Sequence, residues 1–437
     1  MLTAAPEARG ARRSRSPARR RTAAFVLAIA GIALGGGADG ASQRPAELPL
    51  GPRSLDERRI SVELGPGVRF TRILRRGRGR VPGWRVYVLT IDRTALRGHV
   101  SAVLSNGRIP RRERVSSMAR RARAIAAVNG GFFVPPGRTN AGDPIGTLAI
   151  GGDLLSEPVG DRTSLLIPES SSARARIARV RFLGGVTIGD RRRLVDGVNR
   201  RRGRIPACGG RGGDRPTERP NAALTCSDDS ELVVYSSAFG PRTRTARGGV
   251  EAVLEGGVVR GLRRGGDSRI PSGGLVLSGS GDAAAFLAAA ARSGARARLG
   301  LELLAARSAL RLRDYAAIVG AGPRLLARGR VRIDSGAEGY HGSVYRSFVL
   351  SRNPRTLAGV TADGTLLLVA IDGRRPGWSA GATLREAAAV MRALGAREAM
   401  NLDGGGSTTM TVGARVVNRP SDPGGERPVG DAIVVLP

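Results

Sequence analysis

The sequence predicts an α+β fold: a mixed β-sheet core with flanking helices and a C-terminal βαβ unit, in one large domain. Three observations lead there. Apolar runs of strand length recur along the chain, as in Trp84–Ile91 (WRVYVLTI), 124–128 (AIAAV) and 365–371 (TLLLVAI). Helical spacing is confined to a few short stretches: Val115–Ala122, the Ala-rich 282–291, and 383–394. Finally, strand, amphipathic helix and strand follow one another over 365–402. That order predicts two parallel strands with their carboxyl ends on one edge.

Length and composition set the frame. With 437 residues, 41% of them hydrophobic, the chain can bury one large core or two ordinary ones. Its formal net charge is +35, carried by 71 basic residues that are all arginine. Arginine, alanine and glycine abundance of this kind fits a GC-rich genome, and the remaining excess favours anionic cell-wall polymers as partners. Nucleic acid is not expected, because only 3% of residues are aromatic and no basic–aromatic stacking platform is visible.

Taken in order, the chain opens on an arginine-rich stretch, then an apolar run over 23–34, then small residues through Ala41. Basic, apolar and small in that order reads as a signal peptide or N-terminal membrane anchor over 1–41. The protein is therefore expected to be secreted or associated with the cell envelope, meeting a membrane only through this segment. Residues 42–59, rich in proline and charge without periodicity, read as a flexible linker, and 60–437 as the folded domain. Within it, 203–229 looks like an inserted loop holding Cys208 and Cys226, the only cysteines of the chain. In an exported protein such a pair most simply forms a disulfide.

Two strands end in glycine-rich turns. The first runs into Asn129-Gly130-Gly131 and the second into Asp403-Gly404-Gly405-Gly406-Ser407-Thr408. Glycine runs are costly backbone unless something approaches closely, and strand ends are where open α/β sheets collect ligands. The strand over 365–371 ends on Asp372, so the βαβ geometry brings Asp372 and Asp403 to one sheet edge. There they can share acid and base duties or hold a cation, or Asp372 can simply close an Asp-Gly turn. Thr383 to Glu386 has the order of a capping box, with Leu384, Ala387, Ala388, Met391 and Leu394 on one helix face. No cofactor is required by the sequence, and dependence on a divalent cation is left open.

Together, Asn129 to Phe133, Gly322-Pro323, Asn353-Pro354-Arg355-Thr356, Asp372-Gly373-Arg374, Asn401 to Met410, and Asn418 to Ser421 with Glu426-Arg427 resemble the phosphodiester glycosidase family. The likeness spans roughly 65–435, and Asn353 stands where relatives often carry histidine. The resemblance implies an exported hydrolase that cleaves between a sugar's anomeric carbon and a phosphodiester. On that basis Asp403 is expected on the sugar side, with Asp372 and Glu426 as further acid or base candidates. Arg355 with Thr356 is expected to clamp the phosphate, Arg427 less so, while Gly404 to Gly406 with Ser407 and Thr408 cradle it. Asn129, with Gly130 and Gly131, is expected to meet sugar hydroxyls or an acetamido group. The alternatives are a non-catalytic module that binds anionic wall polymers and a secreted phosphodiesterase.

Overall fold

A computed structural model describes residues 46–137, 140–206, 215–218 and 225–437. Its central sheet follows from the apolar runs. Leu366–Ile371 is buried along its whole length, and its side chains divide by parity, as the two-residue repeat of a strand requires. Leu366, Leu368 and Ala370 enter one core, while Leu367, Val369 and Ile371 enter a second. The second core is closed by the helix Leu384–Ala393, through Leu384, Ala387, Ala388, Val390 and Met391. The expected capping box starts that helix: Glu386 N donates to Thr383 Oγ1 at 3.1 Å, and Thr383 N to Glu386 Oε2 at 2.9 Å.

The βαβ expectation holds in direction and changes in adjacency. Leu366–Ile371 and Ala396–Asn401 each pair antiparallel with Arg355–Thr361, which lies between them. They therefore run parallel to one another without touching, and their carboxyl ends share an edge. Pairing elsewhere is antiparallel apart from the short match of Gly197–Val198 with Leu232–Ser236, among the described residues.

Around this eight-stranded sheet stand a second eight-stranded sheet, two five-stranded sheets and a three-stranded one. One five-stranded sheet matters most for function, with the order Arg415–Val416, Met410–Val412, Ala126–Asn129, Asp431–Leu436, His99–Leu104. It shares the larger core with the central sheet through Ala126, Val128, Met410, Ile433 and Val435. The described residues fall in one unit by their contacts.

One expectation changes outside the site. Residues 46–59 are not a tether: Leu48, Leu50 and Leu55 are buried in the second core, and Arg75 donates to the carbonyls of Leu50 and Pro52. Each buried leucine contributes about 1.5–3 kcal/mol, which a free linker would forgo. In the 203–229 segment, Cys226 is buried in the three-stranded sheet, whereas Cys208 lies outside the described residues.

Candidate active site

The segment from Asp403 to Thr409 carries the chain from one sheet to another. It leaves the central sheet after Asn401 and enters the five-stranded sheet at Met410. The first glycine-rich turn meets it there. Asp403 N donates to Gly130 O at 3.1 Å, and Asn129 N donates to Thr409 O at 3.2 Å. From the other side, Gly405 N donates to Pro354 O at 2.9 Å. Three motifs far apart in sequence thus converge on one junction, each within hydrogen-bond reach of the next.

Asn129 is the knot of this junction. Its Nδ2 donates to Asp403 O at 2.7 Å, and its Oδ1 accepts from Thr356 Oγ1 at 2.7 Å and Thr409 N at 3.1 Å. Fully buried, it spends its oxygen on two of these bonds and one amide hydrogen on the third, and so positions the turn. Thr356 is likewise buried and used here. These two expected substrate contacts are corrected to internal supports.

Arg355 is also corrected. Its side chain is 0% exposed. Its Nε donates to Ala382 O at 2.8 Å, and its Nη2 to Phe348 O and Ser351 O at 2.6 and 3.0 Å. It ties the Gly342–Leu350 helical segment down to the sheet instead of reaching outward. Burial, then the charge of Arg374, pushes its guanidinium down to about 9.

Asp372 emerges on the same sheet edge as Asp403, as expected, but is 1% exposed and saturated. It accepts from Tyr87 Oη, Trp378 Nε1, Asn418 Nδ2 and Arg419 N. Asn418 in turn donates to Thr408 O and accepts from Met410 N, so Asp372 braces the far end of the glycine turn. Burial raises its pKa while those donors oppose the rise. Glu426 stands elsewhere: it accepts from Ser116 N and Ser116 Oγ at 2.7 and 2.6 Å, at the start of the helix Val115–Ala122. A carboxylate set from outside against the N-terminal N–H groups of a helix is a structural device, and Glu426 is corrected to that role.

Asp403 is half-buried as a residue. Burial pushes its carboxyl up to about 6, against a hydrogen bond from Ser407, another from Gly404 N at 2.9 Å, and the charge of Arg427. Arg427 forks onto Asp422 at 2.7 and 2.9 Å, and its Nη1 lies 3.5 Å from Ser407 Oγ. A line of contacts therefore runs from Asp422 through Arg427 and Ser407 to Asp403. Gly406 is needed because a Cβ there would overlap both Asp422 and Arg427. Of the turn's glycines, Gly404 and Gly405 spend their N–H groups on Asp403 and Pro354, and Gly406 is buried. Ser407 and Thr408 are buried beneath the turn.

A further carboxylate, Asp431, escaped the sequence reading. It is 2% exposed, and its Oδ1 accepts from Gly131 N at 3.0 Å while its carbonyl accepts from Gly130 N at 3.1 Å. A Cβ on Gly130 would overlap that carboxylate, which is why glycine stands there. Burial first, and then the charge of Asp403, pushes Asp431 up to about 6. The sequence signal was present: Gly430-Asp431 precedes an apolar strand as Asp403-Gly404 follows one. Among the described residues, no group of three or more His, Cys, Asp or Glu side chains is arranged to hold a metal ion.

The glycine-rich strand ends gather carboxylates and arginines at this sheet junction. Residues 248–436 match the family model described as phosphodiester glycosidase. A protein from Burkholderia pseudomallei, named as exported, is 28% identical and superposes with a TM-score of 0.81, covering 92% of this chain and 100% of that one. A hypothetical protein from Synechocystis shares the fold at 22% identity and TM-score 0.65, over 84% of this chain and 61% of that one. The catalytic domain of zebrafish N-acetylglucosamine-1-phosphodiester alpha-N-acetylglucosaminidase also matches, at 14% identity and TM-score 0.46, over 87% of this chain and 88% of that one. No curated protein matches the chain. The chain thus has a phosphodiester-glycosidase-like fold and resembles a hydrolase family.

Proposed function

We propose that the protein is an extracytoplasmic hydrolase that cleaves the glycosidic bond of a sugar-1-phosphodiester, with Asp403 as its catalytic carboxylate. The observation that carries this reading is Asp403 itself: a half-buried residue whose carboxylate is held by Ser407 and Gly404 at the junction of two sheets, within the stretch that matches the phosphodiester glycosidases. Export is supported by the signal-like N-terminal sequence and by the exported name of the Burkholderia relative. Cell-wall or exopolysaccharide phosphodiesters suit the net charge of +35.

The chemistry asks little of an acid. A phosphodiester is a weakly basic leaving group, so cleavage builds positive charge at the anomeric carbon and negative charge on phosphate. Asp403 facing the sugar stabilises the first charge or takes a proton from the attacking water. A carboxyl pushed up to about 6 is ionised at neutral pH yet basic enough for that proton. Asn129 holds the Asp403 carbonyl and Asp372 braces the turn through Asn418, so the carboxylate needs no reorganisation as charge develops.

Purified protein incubated with sugar-1-phosphodiesters should release reducing sugar and an intact phosphomonoester. Asp403→Asn should lower the rate by about 10²- to 10⁴-fold with the fold intact by circular dichroism. An undiminished rate removes Asp403 from the chemistry, and release of inorganic phosphate or nucleotide instead would point to a phosphatase or nuclease.

A further inference from the structure

Arg374 follows the Asp372-Gly373 turn with φ 55 and is exposed, carrying its guanidinium over the glycine run. Its Nε and Nη2 both donate to Asn353 Oδ1, at 3.0 and 2.7 Å. Asn353 is itself fixed, its Nδ2 donating to Ser347 O at 2.8 Å and Ser351 O at 3.1 Å. Two of its nitrogens are thus held by a neutral amide oxygen and not by a carboxylate. Its Nη1 is turned to the turn, 3.2 Å from where a Cβ on Gly405 would stand. No ion pair engages Arg374 among the described residues, and Gly405 beside it is half-buried.

Beneath this surface lies Arg355, fully buried, with its Nη1 lacking any hydrogen-bond partner. The two guanidiniums repel each other through poorly solvated protein. Glu386, the acid that offsets this, is already forked by Arg352 at 2.6 and 3.0 Å. Two neighbouring cations, one of them exposed beside a glycine turn and neither in an ion pair among the described residues, make a site that a bound oxyanion would complete.

We propose that Arg374, oriented by Asn353, and the Gly405-Gly406 turn form an anion site that takes the phosphoryl group of the substrate. Asn353 is the positioning residue: its single carbonyl oxygen takes two N–H groups of the fork and aims the third nitrogen at the turn. The assignment of the phosphoryl group to a substrate rests on the hydrolase reading, but the binding of an oxyanion does not require turnover.

The test uses inorganic phosphate and isothermal titration calorimetry on the purified chain near neutral pH, alongside hydrolysis of sugar-1-phosphodiesters. Arg374→Ala should weaken phosphate binding about tenfold or more and raise KM with a smaller change in kcat, with Arg374→Lys in between. Asn353→Asp should also weaken phosphate, because its carboxylate neutralises Arg374 while keeping the fork. Arg330→Ala, at the far edge of the central sheet, should leave binding as it is. Equal affinity in Arg374→Ala and the parent overturns the proposal even if hydrolysis is observed, as does an equal loss in Arg330→Ala, which would mean bulk charge alone. Arg374-dependent phosphate binding without hydrolysis of any phosphodiester supports the anion site and removes the hydrolase reading.

Discussion

Replacing Asp143 with asparagine should stabilise the protein at alkaline pH and leave it almost unchanged in acid. Asp143 is 1% exposed, and no hydrogen bond of normal geometry reaches either carboxylate oxygen among the described residues, although the Asn140 side chain lies near enough to favour the ionised form. The fold uses its backbone: Asp143 N donates to Asn140 O at 3.0 Å, and Val134 N donates to Asp143 O at 2.8 Å, closing the loop after Phe133. Burial, helped by the charge of Glu157 and opposed by Asn140 and Arg200, pushes the carboxyl up from 3.8 to about 7. The folded state therefore holds a proton that the unfolded chain releases near pH 4, so stability falls as pH rises from roughly 4 to 7 and levels above that. About three pKa units at 1.36 kcal/mol each set a ceiling of about 4 kcal/mol on the loss. Asparagine resembles the protonated acid in shape and in its unmet hydrogen bonds, so the two proteins should match near pH 4. Chemical denaturation at acid, neutral and alkaline pH measures the difference. A gap between variant and parent that does not widen with pH would refute the reasoning.

Asp431→Asn removes a negative charge coupled to Asp403, so the acid limb of the pH–rate profile should move to lower pH, by up to about one unit. An unmoved limb would mean that the two carboxylates titrate independently. For the cysteines, alkylation of the denatured but unreduced protein should label neither Cys208 nor Cys226, and replacing both with serine should cost about 2–4 kcal/mol. Labelling of both without reductant would exclude the disulfide.

Much of the architecture was legible because it depends on local repeats. The parity of Leu366–Ile371 and the capping box from Thr383 to Glu386 are written in neighbouring residues, and they reappear as a two-faced strand and a correctly started helix. The intervening strand Arg355–Thr361 was not legible in the same way, since strand order is a matter of long-range pairing. The buried leucines of 46–59 were hidden by the prolines and charges around them.

The site divides along the same line. By itself the sequence determined which chemical groups are present and where the backbone must be glycine: the turns at Asn129-Gly130-Gly131 and Asp403 to Thr408, with their nearby arginines and acids. Only the tertiary structure decided what each group does, because donors and acceptors are matched across hundreds of residues. Asn129 meets Thr356, Asp403 and Thr409, so it supports; Arg355 meets three carbonyls, so it anchors; Glu426 meets Ser116 at a helix start. Arg374 remains exposed and Asp403 half-buried. A side chain's chemistry is local, but whether it has anything left to offer a ligand depends on how many of its bonds the fold has already taken.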